Sequence, residues 1–206
     1  MIRKVLIAFF MMSVSVAMNA QQTRYYDAAQ LNVIGKAIPT SKDYTRIDTA
    51  AYKFNDAVIE EFACHSTGLA VLFATDSPFI KAKWQTSGKN AAPNMTAIAQ
   101  KGLDLYIRQN GEWVFAGVGR PVMEKEPEYA SHKGTIVKSM APGRKECLLY
   151  LPLYDCLDSL FIGIDENSYI EPLDNPFRHR IVIKGSSVTH GLAASPPGMS
   201  YSASFG

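Results

Sequence analysis

Once its first twenty residues are set aside, this sequence has no excess of charge of either sign. The chain has 21 basic and 19 acidic residues, and two of the basic ones, Arg3 and Lys4, lie in that first segment, which leaves 19 of each. A nucleic-acid-binding domain normally presents a basic surface. The balance therefore argues against nucleic acid as a partner.

The sequence also lacks the cysteine and histidine spacings of a metal centre. It has three cysteines, no Cys-x-x-Cys pair and no histidine-rich tract, so we expect neither a metal site nor a cofactor. Cys147 and Cys156 flank a short segment and could meet across a turn, whereas Cys64 lies far away. The alternative is that all three are buried as small apolar residues, and the pattern leaves this choice open.

The first twenty residues contain the one apolar run with the layout of a secretory signal peptide. A basic head is followed by apolar residues from Val5 to Met12 and by small residues at Ala17 and Ala20, after either of which cleavage would occur. The run is shorter than the ~20 apolar residues that a membrane span requires. We expect residues 1–20 to be removed, and the protein to be exported to the periplasm or the medium without stable membrane insertion.

Helical periodicity is scarce between residues 69 and 164, where short strand patterns follow one another. The stretch "IKAKWQ" alternates Ile80, Ala82 and Trp84 with polar residues, which indicates a strand with one buried face. Asn110-Gly111 separates two further strand patterns and favours the positive φ angles of a type I′ hairpin turn. This spacing predicts an all-β domain of jelly-roll or sandwich type.

We place the boundaries of this domain at residues 21–174. The strand patterns "ECLLYLPLY" and "LDSLFIGI" complete it, with Pro152 marking an edge or a bulge. Residues 25–49 show no clear pattern and are predicted to be an irregular lead-in.

The pattern changes after Pro172 and Pro176. Ile181, Val182 and Ile183 are apolar in sequence, which is typical of a strand buried on both faces of a parallel sheet. Residues 175–206 are therefore predicted to be the incomplete start of an α/β domain.

The segment "GSSVTHG", residues 185–191, has the residue types of a turn that carries a nucleophile. Gly185 allows a sharp exit from the predicted strand, Ser187 lies at the tip with an exposed hydroxyl, and Gly191 leaves room for a ligand. The backbone N–H of Ser187 would face a developing oxyanion. Thr189 replaces the second glycine of the G-x-S-x-G elbow of α/β-hydrolases.

This segment resembles the first block of SGNH, or GDSL-type, hydrolases, which runs Gly-Asp-Ser-Leu, then Ser or Thr, any residue, and Gly. Gly185, Ser187, Thr189 and Gly191 match it, whereas Ser186 replaces the aspartate. The resemblance implies a flavodoxin-like α/β hydrolase domain in which Ser187 is the nucleophile. It also implies a catalytic histidine from a distant Asp-x-x-His and further oxyanion donors, none of which follows Ser187 here.

A second resemblance covers most of the chain from Leu69 onward. The segment "KGLDLYIRQNGEWVFAGVGRP" is similar to the GxDLY domain, a β-sandwich that precedes the hydrolase domain in some secreted SGNH proteins. Gly102, Asp104, Leu105 and Tyr106 carry the motif, and the later "SPPGMSY" is also similar. We expect Asp104 and Tyr106 to have structural roles.

Two functions are consistent with these patterns. The first is the front portion of an exported esterase that acts on small-molecule or carbohydrate esters and is inactive as this chain alone, with His190 too close to Ser187 in sequence to serve as its base. The second is a glycan-binding module that uses Trp84, Trp113 or Tyr106, although we expect these rings to lie in the core.

Overall fold

A computed structural model of the chain describes residues 22–87, 93–122 and 129–205, which form two antiparallel sheets packed face to face. The predicted signal peptide, residues 1–20, lies outside the described residues. The strands are β1 (Thr23–Asp27), β2 (Asn32–Ile34), β3 (Ala70–Thr75), β4 (Ile80–Ser87), β5 (Leu103–Gln109), β6 (Glu112–Gly119), β7 (Tyr129–Val137), β8 (Lys145–Tyr150), β9 (Leu157–Asp165) and β10 (Ile170–Pro172). The helices are α1 (Ala57–Cys64), α2 (Ala97–Lys101) and α3 (Ser187–His190), with single 3-10 turns at Ala28–Gln30, Pro197–Met199 and Ala203–Phe205.

The strands divide between the sheets in an order far from their order in the chain. One sheet runs β1-β9-β4-β7, and the other runs β10-β3-β8-β5-β6, with β2 pairing alongside β3 as well. Apolar side chains from both sheets fill the space between them. This arrangement confirms the predicted β-sandwich.

Strand β4 shows how the sequence alternation becomes a sheet with one buried face. Ile80, Ala82 and Trp84 point into the core, and Lys83 on the opposite face is exposed. Trp84 is only 2% exposed, and its indole Nε1 donates a hydrogen bond to the Lys101 carbonyl oxygen at 2.7 Å. Trp84 is therefore a core residue, as expected.

The β5–β6 hairpin has the predicted turn. Gln109 pairs with Glu112 across it, and Asn110 and Gly111 have φ angles of +53° and +92°. Positive φ at both central positions is the geometry that an Asn-Gly pair favours in a type I′ turn.

Two sequence predictions about secondary structure are wrong. Residues 25–49 are not wholly irregular, because β1 pairs with β9 and β2 pairs with β3. Residues 181–183 form no strand, and Ile181 and Val182 are 66% and 68% exposed. A strand that is apolar on both faces needs paired neighbours, and no described strand lies beside residues 181–183.

A buried ion pair fixes one end of the sandwich. Lys101 Nζ lies 2.6 Å from Asp155 Oδ2, with the two side chains 5% and 3% exposed. The other oxygen of Asp155 accepts hydrogen bonds from the backbone N–H and the hydroxyl of Ser87. Both charges are thus paired, as burial requires.

Among the described residues, no helix is both long and apolar enough to cross a membrane.

Candidate functional site

Ser187 opens the short helix α3, which follows residues 173–186, a stretch without helix or strand. Its side chain is exposed, and its hydroxyl has no hydrogen-bond partner among the described residues. The preceding Ser186 occupies the N-cap position with extended backbone and makes no side-chain capping bond. The structure therefore presents the Ser187 hydroxyl to solvent at the start of a helix, and its role as a nucleophile stays a prediction.

Two of the motif residues, Gly185 and Thr189, lie against each other. A Cβ atom on Gly185 would collide with the Thr189 side chain, so glycine permits this close approach. The spacing in the motif thus has a local steric basis that does not involve a ligand.

Gly191 ends α3 in the left-handed conformation with a φ of +101°, which favours glycine. The residue is buried, and a Cβ atom there would lie 2.8 Å from Leu153 Cδ1 and 3.2 Å from Ser200 Cβ. In this arrangement the space beside Gly191 is filled by protein and not left open. Its predicted place beside a ligand and the predicted oxyanion role of the Ser187 N–H remain predictions.

His190 turns away from solvent and into the end of the sandwich. Its Nε2 donates to the Leu153 carbonyl oxygen at 2.8 Å, and its Nδ1 accepts from Arg46 Nη2 at 3.5 Å. Burial, together with the nearby Arg46 charge, lowers the pKa of His190 to about 4. His190 is therefore neutral at pH 7 with both ring nitrogens engaged, which does not suit a base for Ser187.

Aromatic rings surround His190. The Tyr154 ring centroid lies 4.3 Å from that of His190, and the Phe62 and His65 centroids lie 5.5 and 5.3 Å away. The Tyr154 hydroxyl also donates to the Ser187 carbonyl oxygen at 3.2 Å. No pattern in the sequence pointed to this cluster, because Phe62 and His65 lie about 90 residues before Tyr154 and more than 120 before His190.

The motif residues of β5 lie against the segment that follows α3. Asp104 is fully buried, and its Oδ2 accepts the backbone N–H of Gly198 at 2.9 Å. The Tyr106 hydroxyl hydrogen-bonds to the same carboxylate. Burial raises the pKa of Asp104 to about 6, against the lowering effect of these two hydrogen bonds.

The other two residues of the motif serve packing. A Cβ atom on Gly102 would lie 2.6 Å from the Ile98 carbonyl oxygen and 2.7 Å from that of Gly119, so the chain passes too closely for a side chain. Leu105 is fully buried in the core. The motif thus combines backbone packing, core packing and a polar contact with residues 197–199.

The cysteines form a pair that was neither of the two alternatives left open by the sequence. Cys64 at the end of α1 and Cys156 before β9 form a disulfide, and Cys147 is buried as a free thiol. Cys147 lies in β8 with its side chain in the core, and Cys156 is bonded to Cys64 instead. Burial raises its pKa to about 12, so it behaves as a small apolar residue.

The disulfide lies next to a histidine. Ligand atoms of Cys64, His65 and Cys156 all lie within 4.8 Å of one another, which is close enough to hold a metal ion. The disulfide uses both sulfur atoms, and a thiolate is what binds a metal. The three residues therefore cannot act as a metal set while the disulfide is intact.

The rings proposed for glycan binding do not form one exposed platform. Trp84 is in the core, and Tyr106 packs edge-on against Phe115 and Tyr150. Trp113 is half-buried beside the Arg108 guanidinium.

Comparison with known proteins places this geometry in a family. The model of the GxDLY family, described as the N-terminus of SGNH-hydrolase-type esterases, matches residues 23–170. No curated protein matches the chain.

One solved structure supports the same relationship, and a second is more distant. A Bacteroides ovatus protein described as a GDSL-like lipase is 43% identical with a TM-score of 0.84, over 89% of this chain and 52% of that one. The salicylyl-acyltransferase SsfX3 of a tetracycline biosynthetic pathway is 17% identical with a TM-score of 0.49, over 74% of this chain and 42% of that one. This chain thus spans about half the length of the Bacteroides ovatus protein. Since the family model covers most of the sandwich, the chain belongs to the GxDLY family, the N-terminal domain of SGNH-hydrolase-type esterases.

Proposed function

We propose that this chain is the N-terminal portion of an exported serine esterase of the SGNH type, with Ser187 as its nucleophile. The observation that carries the proposal is the position of Ser187. It is exposed at the first residue of α3 and follows, after a connecting stretch, a sandwich whose family is the N-terminus of SGNH-type esterases.

The reaction follows from the chemistry of a serine hydroxyl. Ser187 Oγ attacks the carbonyl carbon of an ester while a base removes its proton, and donors such as the Ser187 N–H stabilise the oxyanion. The alcohol then leaves with a proton, and water hydrolyses the acyl-serine. Both ring nitrogens of His190 are engaged, and this chain spans about half the length of the Bacteroides ovatus protein. We therefore propose that the base comes from a part of the hydrolase that this chain does not include. The 206-residue chain alone is then inactive.

Three further features support export and an ester of modest size as the substrate. The first twenty residues have the order of a signal peptide, and a Cys64–Cys156 disulfide suits an oxidising compartment. The zero net charge of the remaining chain favours a small-molecule or carbohydrate ester over a polyanionic partner. The burial of Trp84 weakens the alternative of a glycan-binding module.

A chimera tests the proposal. Residues 22–206 replace the matching N-terminal portion of the Bacteroides ovatus protein, which supplies the remainder of a hydrolase. We expect the chimera to react with a fluorophosphonate probe and to hydrolyse p-nitrophenyl acetate, and the 206-residue chain to do neither. Ser187→Ala should reduce turnover by at least ~10³-fold, judged from other serine triads.

Ser186→Ala is the matched control, since this neighbouring hydroxyl is exposed and makes no capping bond. It should leave labelling intact. Equal labelling of the Ser187→Ala chimera and its parent would contradict the assignment of the nucleophile. Ser187-dependent turnover by the 206-residue chain would contradict the proposed need for an outside base.

A further inference from the structure

We propose that Asp104, Tyr106 and Gly198 form a latch through which the family motif positions the turn that carries Ser187. The catalytic half of this inference rests on the proposed function, whereas the latch itself does not. Asp104 and Tyr106 are positioning residues, because they act through residues 197–200 and do not contact Ser187.

The first step is the fit between the two halves of the latch. Gly198 presents its backbone N–H to Asp104 Oδ2 at 2.9 Å. A Cβ atom on Gly198 would collide with the Tyr106 ring and would lie 2.7 Å from both Asp104 Oδ2 and the Tyr106 hydroxyl. Only glycine therefore allows this turn to reach the carboxylate.

The second step is the cost of burying this carboxylate. Asp104 is fully buried on β5, and its Oδ1 has no hydrogen-bond partner among the described residues. A buried carboxylate is unfavourable unless it is paired or hydrogen-bonded. The hydrogen bonds with Gly198 and Tyr106 compensate part of the cost of burying this carboxylate.

The third step connects the latch to Ser187. Residues Pro197–Met199 form a single 3-10 turn, and the next residue, Ser200, packs at the position where Gly191 lacks a side chain. Gly191 in turn ends α3, the helix that Ser187 begins. A shift of the 197–199 turn would thus move the far end of α3.

Two further hydrogen bonds, which do not involve the motif residues, also hold residues 187–198 against the sandwich. The Thr96 hydroxyl donates to the Ser195 carbonyl oxygen at 2.5 Å, and the Tyr154 hydroxyl donates to that of Ser187 at 3.2 Å. These bonds keep the segment near the sandwich when the latch is broken. Loss of the latch should therefore loosen the segment without releasing it.

Hydrogen exchange in the 206-residue chain tests the latch without reference to catalysis. In Asp104→Ala, amides in residues 192–204 should exchange about tenfold faster or more, because Gly198 loses its acceptor. Asp104→Asn keeps an acceptor oxygen and should restore part of the protection. Residues 157–165 in β9 should be unchanged, as should every segment of the exposed-carboxylate control Asp158→Ala.

Gly198→Ala breaks the latch by changing the turn and leaving the carboxylate intact. It replaces Asp104→Ala as the test variant if that protein does not fold. It should give the same local loss of protection, because its methyl group displaces the turn from Tyr106. Unchanged protection of residues 192–204 in Asp104→Ala or in Gly198→Ala would overturn the latch.

The chimera tests the catalytic half. Asp104→Ala should lower kcat by about tenfold or more with little change in KM, with partial rescue by Asp104→Asn. Ile164→Val, a core substitution in β9, should lower the melting temperature without changing kcat. A kcat that falls only in step with melting temperature would overturn the positioning role. An inactive parent chimera would count against the proposed function and leave the exchange result as the test of the latch.

Discussion

The sandwich and the segment from residue 186 to 205 are held in place by different kinds of contact. The sandwich buries a continuous apolar core between its sheets and adds a disulfide and a buried ion pair. The later segment is attached mainly by hydrogen bonds. Three involve the backbone of Ser187, Ser195 and Gly198, and a fourth joins the His190 ring to the Leu153 carbonyl oxygen. Apolar burial gives the first region stability of its own, whereas directional bonds give the second a defined position.

Loss of the disulfide should have the largest effect, and it should fall on the sandwich. Cys64 and Cys156 are separated by 92 residues, and closing a loop of that size is worth about 4.6 kcal/mol in the chain-entropy model. Cys64→Ser should lower the free energy of unfolding by about that amount in urea titrations. Dithiothreitol should destabilise the parent and the Cys147→Ala control but not Cys64→Ser, and equal sensitivity of all three would contradict the pairing.

Breaking the buried ion pair should come next. Asp155→Ala leaves the Lys101 ammonium buried without its partner and should cost about 3–5 kcal/mol of unfolding free energy. Asp158→Ala, three residues along the chain and exposed, should change it by less than about 0.5 kcal/mol. Chemical denaturation of both variants checks the contrast, and similar losses would show that the pair contributes nothing special.

Removing the later segment should have a smaller effect. A chain of residues 22–174 loses at least four hydrogen bonds to residues 187–198, each worth about 1 kcal/mol. We expect a cooperative thermal transition with the unfolding free energy reduced by about 2–4 kcal/mol. A chain of residues 22–184 adds only the connecting stretch, and its unfolding free energy should be the same as that of the 22–174 chain. Aggregation or a gradual transition would mean that the sandwich depends on the segment.

The smallest effect concerns pH. The pKa of Asp104 is raised to about 6, so between pH 4 and 6 the folded state holds a proton that the unfolded state has released. This residue makes stability fall as pH rises through that window. Asp104→Asn should therefore show a more positive slope of unfolding free energy against pH, by up to about 1.4 kcal/mol per pH unit.

His132 and His190 work in the opposite direction. Their pKa values are lowered to about 4, so each makes stability fall as pH drops from 6.5 toward 4. Replacing His132 with Gln should flatten the acid side of the curve. For the preceding prediction, parallel curves of unfolding free energy against pH for Asp104→Asn and the parent would contradict a raised pKa of Asp104.

Local signals in the sequence predicted what local chemistry determines. Asn110-Gly111 specified the hairpin turn, and the alternation around Trp84 specified a strand with one buried face. Strand β1 was missed because its residues, Thr23–Asp27, gain strand structure from β9, about 140 residues later. Propensity is a weak guide where a distant partner decides the structure.

The candidate site divides in the same way. The motif around Ser187 and the resemblance of Asp104 and Tyr106 to a family motif were visible in the sequence. Their meeting at Gly198, 94 positions after Asp104, was not visible, because the sequence pattern does not show which backbone N–H a buried carboxylate will accept. The Cys64–Cys156 pair was missed for the same reason, since spacing alone suggested either a bond to the nearer Cys147 or no disulfide at all.

The disulfide also divides the sandwich into a closed part and two free ends. Strands β3 to β8 lie between Cys64 and Cys156, whereas β1, β2, β9 and β10 lie outside this covalent ring. A force that pulls the chain from both ends can peel away the outer strands but cannot stretch the ring. With about 3.3 Å per extended residue, the oxidised chain would remain roughly 300 Å shorter at full extension than the reduced one. The ring therefore sets a mechanical limit on how far the domain can be drawn out.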